Sequence, residues 1–289
     1  MGKKEIIKAK YLGTCFGVER ALKITEKELN KEYVIYSYGD LIHNNDAKKY
    51  LEAKGLIVTE NIDNIKSKEK HKIVFRSHGV GEKVYELAKK NNIDIIDATC
   101  PKVKKIHKIA KDCYNNGYEI IIFGNSDHPE ISGIKGWTKE KALVFSDLSE
   151  FKEKENKVKD KKLCVVFQTT YNLKNYESIK TYFEKYDKIR FHNTICIATV
   201  QRQKACRNLA KKCDNMIVIG GKNSSNTKKL YEISKEFCKK TYWIENKSEI
   251  PYDYIQSSKK IGITAGASTP LIIIEEVIEC LKKIKWTNF

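Results

Sequence analysis

The sequence predicts an α/β protein of three pseudo-repeated units, each with a mostly parallel four-stranded sheet. Three observations support this prediction. Short apolar, β-branched segments alternate with helical patterns along all 289 residues. Polar clusters follow many of the apolar segments, which is where ligands gather in parallel sheets. These clusters recur at similar intervals along the chain, as internal repeats do.

The strand predictions rest on four- to six-residue runs rich in Ile, Val, Phe and Tyr. The predicted strands are Glu5–Ala9, Tyr33–Tyr38, Leu56–Thr59, Lys72–Arg76, Asp94–Asp97, Glu119–Phe123, Ala142–Phe145, Leu163–Phe167, Ile189–His192, Met216–Gly220, Thr241–Ile244 and Lys260–Thr264. Amphipathic segments between them predict helices. Those with a clear helical period are Glu82–Asn91, Asn172–Tyr186, Gln201–Lys212, Thr227–Phe237 and Pro270–Ile284.

The net charge of +18 comes from 55 Lys and Arg against 37 Asp and Glu. Only five of the basic residues are Arg, whereas nucleic-acid readers favour the Arg fork. The Lys residues are spread over every amphipathic segment, which indicates a solvated surface; attraction of an anionic ligand is the alternative. We expect no nucleic-acid partner.

Membrane insertion and secretion are not expected from the apolar pattern. The longest apolar runs, such as Leu271–Ile274, fall far short of the roughly 20 residues that span a bilayer. The N-terminal segment has no apolar signal core. We therefore expect a cytoplasmic protein with no membrane partner.

The nine cysteines do not form a recognisable local motif. Without a secretion signal a disulfide framework is not expected, and the chain contains no CxxC pair for a zinc ribbon. The cysteines are then either buried apolar residues or ligands that the fold brings together. Six fit the packing interpretation: Cys113, Cys164, Cys206, Cys213, Cys238 and Cys280.

The polar clusters group as two polar motifs followed by a cysteine. The three sets are His43, His78 and Cys100; His128 with Glu130, Thr169 and Cys196; and Ser224–Asn226, Ser268 and, from the chain's beginning, Cys15. His43, His128 and Ser224 start these sets at intervals of 85 and 96 residues. The pattern predicts three cyclically related units whose third is completed by the N-terminal strand, although α/β chains generate some regular spacing by themselves.

Cys15, Cys100 and Cys196 follow predicted strands. The Cys100-Pro101 step resembles one common beside iron–sulfur clusters. Three thiolates on a [4Fe–4S] cube would leave one iron open to substrate. The residues alone leave two alternatives open, which are zinc with a fourth His ligand and plain core thiols.

Two segments of small polar residues precede helices and suit an anion. Ser224, Ser225 and Asn226 open one helix, and Ser268 precedes another, with Pro270 as its expected first residue. Ordinary helix capping is the alternative. His43, His78 and His128 all follow strands, and their ring N–H groups could donate to a diphosphate or an alkoxide. A structural role for these histidines is the alternative. We assign no role to His107 or His192.

Glu130 and Thr169 are the candidates for proton transfer. Glu130 follows His128-Pro129 in a predicted loop, and a carboxyl in a desolvated pocket can donate a proton near neutral pH. A glutamate at a helix N-terminus is the simpler alternative. The Thr169 hydroxyl can relay a proton, or it can cap the helix that starts near Asn172.

Together these motifs resemble the 4-hydroxy-3-methylbut-2-enyl diphosphate reductase family over essentially the whole chain. The matching segments are Cys15–Ala21, Ile42–Asn44, Ser77–Val80, Asp97–Pro101, His128–Glu130, Gln168–Thr170, Asn223–Asn226 and Thr264–Ser268. The resemblance implies a trefoil of three α/β domains around a central [4Fe–4S] cluster. The expected boundaries are 1–16 as a strand and cluster loop completing the cycle, then 17–99, 100–194 and 195–289.

The resemblance also implies a role for each matched residue. Cys15, Cys100 and Cys196 would be cluster ligands, Glu130 the proton source, and Thr169 a contact to the substrate hydroxyl. The implied diphosphate ligands are His43, His78, His128, Ser224, Ser225, Asn226 and Ser268. The family reduces (E)-4-hydroxy-3-methylbut-2-enyl diphosphate to isopentenyl and dimethylallyl diphosphates, with electrons from ferredoxin or flavodoxin.

The resemblance has departures. Leu12-Gly13-Thr14 precedes Cys15 where the family commonly has Gly-Phe, and the polar run Asn45–Lys49 replaces more apolar residues. No matched ligand is lost. One rival is an iron–sulfur hydratase or dehydratase without net redox chemistry, and a second is a basic nucleic-acid-binding protein. The latter lacks a stacking-aromatic or zinc-finger signature.

Overall fold

A computed structural model of the chain describes residues 5–65, 70–256 and 258–283. The predicted helix end at Ile284 and the outermost residues of the first and last predicted segments, 1–4 and 284–289, lie outside the described residues. The described chain forms two compact units. One contains residues 5–18, 43–47 and 197–283, and the other contains residues 19–42 and 48–196.

The first unit holds one four-stranded sheet in which all described pairs are parallel. Its strands are β1 (Glu5–Lys8), β10 (Asn215–Ile219), β11 (Thr241–Ile244) and β12 (Lys260–Ala265), in the order β1-β12-β10-β11. Its helices are α8 (Ile197–Ala210), α9 (Ser225–Phe237), α10 (Tyr252–Ile255) and α11 (Leu271–Lys282). The N-terminal strand therefore pairs with the last strand of the chain.

The second unit holds two further parallel sheets. The strands are β2 (Val34–Tyr38), β3 (Ile57–Thr59), β4 (His71–Phe75), β5 (Asp94–Asp97), β6 (Glu119–Phe123), β7 (Leu143–Phe145), β8 (Leu163–Phe167) and β9 (Ile189–Phe191). Their orders are β3-β2-β4-β5 and β7-β6-β8-β9. The helices among residues 16–183 are α1 (Phe16–Leu29), α2 (Asn45–Ala53), α3 (Glu82–Lys90), α4 (Pro101–Asn115), α5 (Pro129–Gly136), α6 (Leu148–Lys154) and α7 (Leu173–Phe183).

The three sheets repeat one topology, which confirms the predicted α/β class with three pseudo-repeated parallel sheets. In each sheet one edge strand is followed by a cysteine; these strands are β1, β5 and β9. Each of them pairs with a strand that ends at the second polar motif, namely β12, β4 and β8 in the same order. The third strand in order (β10, β2 or β6) ends at the first polar motif. The sequence boundaries expected between the repeats remain a prediction.

All twelve predicted strands occur within one residue of their expected ends. The helices differ more. Helix α8 begins at Ile197, four residues before the predicted Gln201, because Thr199 and Val200 are β-branched and weaken the helical pattern. Helix α9 begins at Ser225 instead of Thr227, and α7 ends at Phe183 instead of Tyr186. The early start of α8 places its N-terminus directly after Cys196.

Apolar residues from strands and helices form a separate core for each sheet. In the first unit Ile217, Ile263, Ile274 and Val277 pack between the sheet and α11. In the second unit Phe123 and its aromatic neighbours pack around β6 and β8; the rings within 6.2 Å of it are Phe145, Phe151, Phe167, Tyr171 and Phe183. Each fully buried ring contributes about 2–3 kcal/mol, which keeps the strand ends that carry the polar motifs in place.

No helix within residues 5–65, 70–256 and 258–283 has the length and apolar character that crossing a bilayer requires.

Candidate active site

The polar motifs predicted from sequence all lie in the loops or helix starts that follow strands. Parallel strands present their carboxyl ends at one edge of a sheet, so such loops are neighbours within each sheet.

Each of the three predicted cluster cysteines directly precedes a helix. Cys15 precedes α1, Cys100 is the N-cap of α4, and Cys196 precedes α8. The backbone N–H of each donates to a carbonyl of the second polar motif in its own repeat, and all three bonds are 3.0 Å long. The acceptors are Ala267 O for Cys15, Ser77 O for Cys100 and Thr169 O for Cys196. The repeat predicted from sequence spacing therefore extends to the backbone hydrogen bonds of the cysteines.

Two arginines hold the chain just before two of these cysteines. The Arg202 guanidinium is buried and donates to Gly13 O at 2.7 Å and to Thr14 O at 3.3 Å. Arg20 donates to Thr99 O at 3.3 Å and Asp97 O at 3.4 Å. Sequence reasoning gave neither residue a role. The available signal was their position, five residues after Cys15 and six after Cys196.

The three cysteines have the chemistry that an iron–sulfur cluster requires. All three are half-buried and form no disulfide, and cysteine sulfur is the ligand that holds iron–sulfur clusters. Burial raises the pKa of Cys206 and Cys213 to about 11 and keeps these two thiols protonated, which fits a packing role. Cys15, Cys100 and Cys196 therefore each have the chemistry of an iron–sulfur ligand.

Glu130 lies in the first turn of α5 and not in the predicted loop. Its neighbour Pro129 begins the helix, as proline commonly does, and His128 is the N-cap. Glu130 is only 2% exposed. Burial raises the pKa of Glu130 to about 7, although the hydrogen bonds from Thr169 act in the lowering direction.

Thr169 contacts Glu130 through both of its polar hydrogens. Its backbone N–H donates to Oε1 and its hydroxyl donates to Oε2, each over 2.6 Å. The alternative role as helix cap is excluded, because the side chain of Asn172 caps α7 by accepting from Lys174 N. The carboxyl at Glu130 is thus buried, oriented and near its pKa at neutral pH, which are the properties of a general acid.

His128 is held in one neutral tautomer. Its Nδ1 accepts from the backbone N–H of Glu130 at 3.1 Å, so the proton of the neutral ring is on Nε2. The His78 ring meets His128 edge to face, with 5.2 Å between ring centroids. These two predicted ligands are therefore brought together within the second unit, and His128 offers an N–H donor.

In the first unit, His43 lies with the serines predicted to bind an anion. Ser268 donates from Oγ to His43 O at 3.0 Å, and its Oγ lies 3.5 Å from Ser224 Oγ. Ser224 also caps α9 by accepting from Thr227 N at 3.3 Å. Capping and anion binding are compatible here, since α9 still presents free N–H groups in its first turn. Ser225 is the first residue of that helix.

Asn226 gives direct evidence for a missing polar partner. The residue is 4% exposed, and neither its Oδ1 nor its Nδ2 has a hydrogen-bond partner within the described part of the chain. A buried, unsatisfied amide costs about 1–3 kcal/mol, so a ligand is expected to satisfy it. The residues of this unit therefore fit an oxyanion such as a phosphate.

Two glycines are required by the close approach of loops around this anion site. A Cβ at Gly266 would lie 2.0 Å from Thr227 Oγ1, and one at Gly221 would lie 2.6 Å from the carbonyl oxygen of His43. The second contact is with backbone, which cannot rotate away. Pro270, predicted as the first residue of α11, is instead its N-cap.

The two histidines left without a role lie elsewhere. His107 is buried against the Trp137 ring, with centroids 5.7 Å apart, and burial lowers its pKa to about 4, so it packs as a neutral ring. His192 follows β9 and lies beside Cys113 and Cys164.

Comparison with known proteins identifies the family of the chain. A family model described as LytB protein matches residues 6–282. A 4-hydroxy-3-methylbut-2-enyl diphosphate reductase of Caldanaerobacter subterraneus subsp. tengcongensis is 44% identical over 284 residues, covering 97% of this chain and 98% of the relative. One from Clostridioides difficile is 44% identical over 278 residues, covering 96% and 98%.

A solved structure shares the fold. That of the E-1-hydroxy-2-methyl-but-2-enyl-4-diphosphate reductase from Plasmodium falciparum matches with a TM-score of 0.91 and 28% identity, covering 98% of this chain and 90% of that one. Sequence and structure thus agree over nearly the whole chain: it belongs to the LytB family of 4-hydroxy-3-methylbut-2-enyl diphosphate reductases and is an oxidoreductase.

Proposed function

We propose that this reductase converts (E)-4-hydroxy-3-methylbut-2-enyl diphosphate to isopentenyl diphosphate and dimethylallyl diphosphate. The reaction takes up two electrons and two protons, breaks the allylic C–O bond and releases the hydroxyl oxygen as water. The observation that carries the proposal is Glu130, a buried carboxyl with a pKa of about 7 held by two hydrogen bonds from Thr169. Hydroxide is a poor leaving group, so this reaction needs such an acid.

The cofactor in the proposal is a [4Fe–4S] cluster bound by the thiolates of Cys15, Cys100 and Cys196. When bound, it would supply the two electrons and a Lewis-acidic iron for the allylic hydroxyl oxygen. Support comes from the position of the three cysteines directly before helices and from their equivalent backbone hydrogen bonds. The proposed electron donor is a ferredoxin or a flavodoxin.

The protein residues bind the substrate and deliver a proton. We assign the diphosphate to His43, His78, His128, Ser224, Ser225, Asn226 and Ser268. Asn226 supports this assignment through its unsatisfied buried amide, and His128 through its Nε2 proton. Binding the diphosphate remotely from the reacting carbon turns binding energy into orientation of the allylic end.

Glu130 and Thr169 form the proposed proton path. Near pH 7 a large fraction of Glu130 carries a proton, and Thr169 Oγ lies 2.6 Å from its Oε2. The hydroxyl of Thr169 can donate towards the leaving oxygen while it takes a proton from Glu130. The departing group then leaves as water.

The proposal is tested by anaerobic purification with iron and sulfide, followed by turnover with a chemically reduced viologen as electron source. We expect product from the allylic diphosphate only with the reductant, and turnover should fall at least about 100-fold in Glu130→Gln with an unchanged cluster spectrum. Glu119→Gln, at the start of β6 in the same unit and ion-paired to Lys161, is the matched control. Conversion without reductant would instead support a hydratase.

The ligand assignment has its own test. Cys15→Ser, Cys100→Ser and Cys196→Ser should each lose most cluster iron. Cys206→Ser should retain it, because this thiol is buried in the core against Ser234 Oγ and Leu230 O. Normal iron and sulfide content in a Cys196→Ser enzyme would refute the assignment.

A further inference from the structure

The second unit contains a cluster of two cysteines and a histidine separate from the residues assigned above. Cys113 lies near the end of α4, Cys164 lies in β8, and His192 follows β9. Their ligand atoms all lie within 4.8 Å of one another. We propose that Cys113, Cys164 and His192 bind one zinc ion, with two thiolates, one imidazole and a solvent molecule as ligands.

The donor atoms come from three separate elements that the fold fixes against each other. Strands β8 and β9 are adjacent and parallel, and the backbone N–H of His192 donates to Val165 O at 2.9 Å. Cys113 packs with Cys164 in the apolar core beneath α4. Two of the three donors are therefore fixed within a helix and a strand, and the third follows β9 directly and is held to β8 by its backbone hydrogen bond.

The spacing suits a tetrahedral ion after a small contraction. Zinc–sulfur bonds of about 2.3 Å and zinc–nitrogen bonds of about 2.0 Å place ligand atoms about 3.6–3.8 Å apart. No two of these ligand atoms lie more than 4.8 Å apart, so no ligand needs to move by much more than about 1 Å. The Cys113 and Cys164 thiols are already within hydrogen-bond contact.

The histidine points to a ligand independently. Its Nε2 is buried and has no hydrogen-bond partner among residues 5–65, 70–256 and 258–283. Burial, Arg190 and Lys105 lower the pKa of His192, so the imidazole is neutral and its lone pair is available. A neutral imidazole with an unsatisfied buried nitrogen is a common zinc ligand.

Charge balance also favours two thiolates. Burial raises the pKa of Cys164 and keeps this thiol protonated without metal. Each thiol that binds zinc as a thiolate gives up its proton. The Arg190 side chain hydrogen-bonds to Cys113, which places a positive charge beside this proposed ligand. The complex of Zn²⁺ with two thiolates is neutral, which suits its apolar surroundings. Zinc is preferred to ferrous iron at such a site by the general order of divalent affinities.

The experiment uses the anaerobic holoenzyme with one added equivalent of Zn²⁺, followed by gel filtration over a weak chelator. We expect about one zinc per chain, with X-ray absorption at the zinc edge showing two sulfur ligands at about 2.3 Å and nitrogen or oxygen at about 2.0–2.1 Å. Two released protons per zinc should be detected in weak buffer. Zinc-free enzyme would overturn the proposal.

Variants separate this site from the proposed cluster ligands. His192→Gln should keep the fold and lose at least about tenfold in zinc affinity, and the Cys113→Ala, Cys164→Ala double variant should retain almost none. Cys206→Ala, another fully buried thiol, is the control and should bind zinc normally. Three sulfur ligands in the absorption spectrum, or full zinc in the double variant, would place the ion on other cysteines and refute the proposal.

Discussion

Thr169 donates hydrogen bonds to both carboxylate oxygens of Glu130, from its backbone N–H to Oε1 and from its hydroxyl to Oε2. Both bonds are 2.6 Å long and stabilise the ionised form. Desolvation acts in the opposite direction and dominates, which raises the pKa of Glu130 to about 7. The balance of these two effects leaves the carboxyl able both to hold and to release a proton at neutral pH.

Glu130→Gln should change the pH dependence of stability. The folded-state pKa of about 7 exceeds the ordinary 4.5, so the folded protein binds an extra proton between these values. Stability from this group is fully present below about pH 4.5 and is lost as the pH rises through 7. Glutamine avoids this loss, so the free energy of unfolding of the variant should exceed that of the wild type by at most about 3 kcal/mol at pH 8. At pH 4.5 we expect no gain.

Thermal and denaturant unfolding of the two holoenzymes from pH 4.5 to 8.5 measure this difference. Glu119→Gln provides the comparison for a half-buried, ion-paired carboxyl. A difference between wild type and Glu130→Gln that is constant with pH would mean that Glu130 has an ordinary pKa.

Thr169→Val should move the alkaline limb of the turnover profile to higher pH. The variant keeps the backbone donor to Oε1 but removes the hydroxyl donor to Oε2, so the ionised carboxylate loses one charge-assisted bond. A loss of about 1.5 kcal/mol raises the pKa of Glu130 by about one unit. The measurement is the pH profile of turnover and of kcat/KM. Thr138→Val, which removes a buried hydroxyl bonded to Lys135 O, should leave the profile in place.

Arg202→Met should destabilise the protein more than Arg20→Met. Arg202 is buried and donates to Gly13 O at 2.7 Å, whereas the bonds from Arg20 are 3.3 and 3.4 Å long and partly exposed. We expect the free energy of unfolding to fall by about 2–3 kcal/mol in Arg202→Met and by about 1 kcal/mol in Arg20→Met. Equilibrium unfolding checks the order, and the rate of iron release should follow it. Equal effects would show that neither bond fixes its loop.

Asn226→Leu should stabilise the ligand-free protein and weaken anion binding. Leucine removes the unsatisfied buried amide and is a better helix former, which together contribute about 1–2 kcal/mol. Pyrophosphate binding, followed by calorimetry, should weaken by about 10-fold or more. Thr227→Val is the control. It removes a buried hydroxyl that also has no partner in the described residues, so it should stabilise the protein without changing its affinity for pyrophosphate. Unchanged pyrophosphate affinity in Asn226→Leu would remove this residue from the site.

Sequence periodicity determined the strands and the repeat, because both depend on local residue pattern. Asp94–Asp97, Glu119–Phe123, Leu163–Phe167 and Thr241–Ile244 have the predicted ends, since their apolar runs stop at polar or glycine residues. The residue types also indicated which loops carry chemistry. Helix starts were less accurate, as at Ile197, since β-branched residues obscured the pattern.

Only the tertiary structure decided which partners these residues meet. Burial at Glu130, the two bonds from Thr169, the loop contacts of Arg20 and Arg202, and the meeting of Cys113 with Cys164 and His192 join residues far apart in sequence. Periodicity records which face of an element is apolar, but not which element covers it. The pKa of a carboxyl and the set of residues that can bind a metal depend on which elements pack around them, so only the tertiary structure shows them.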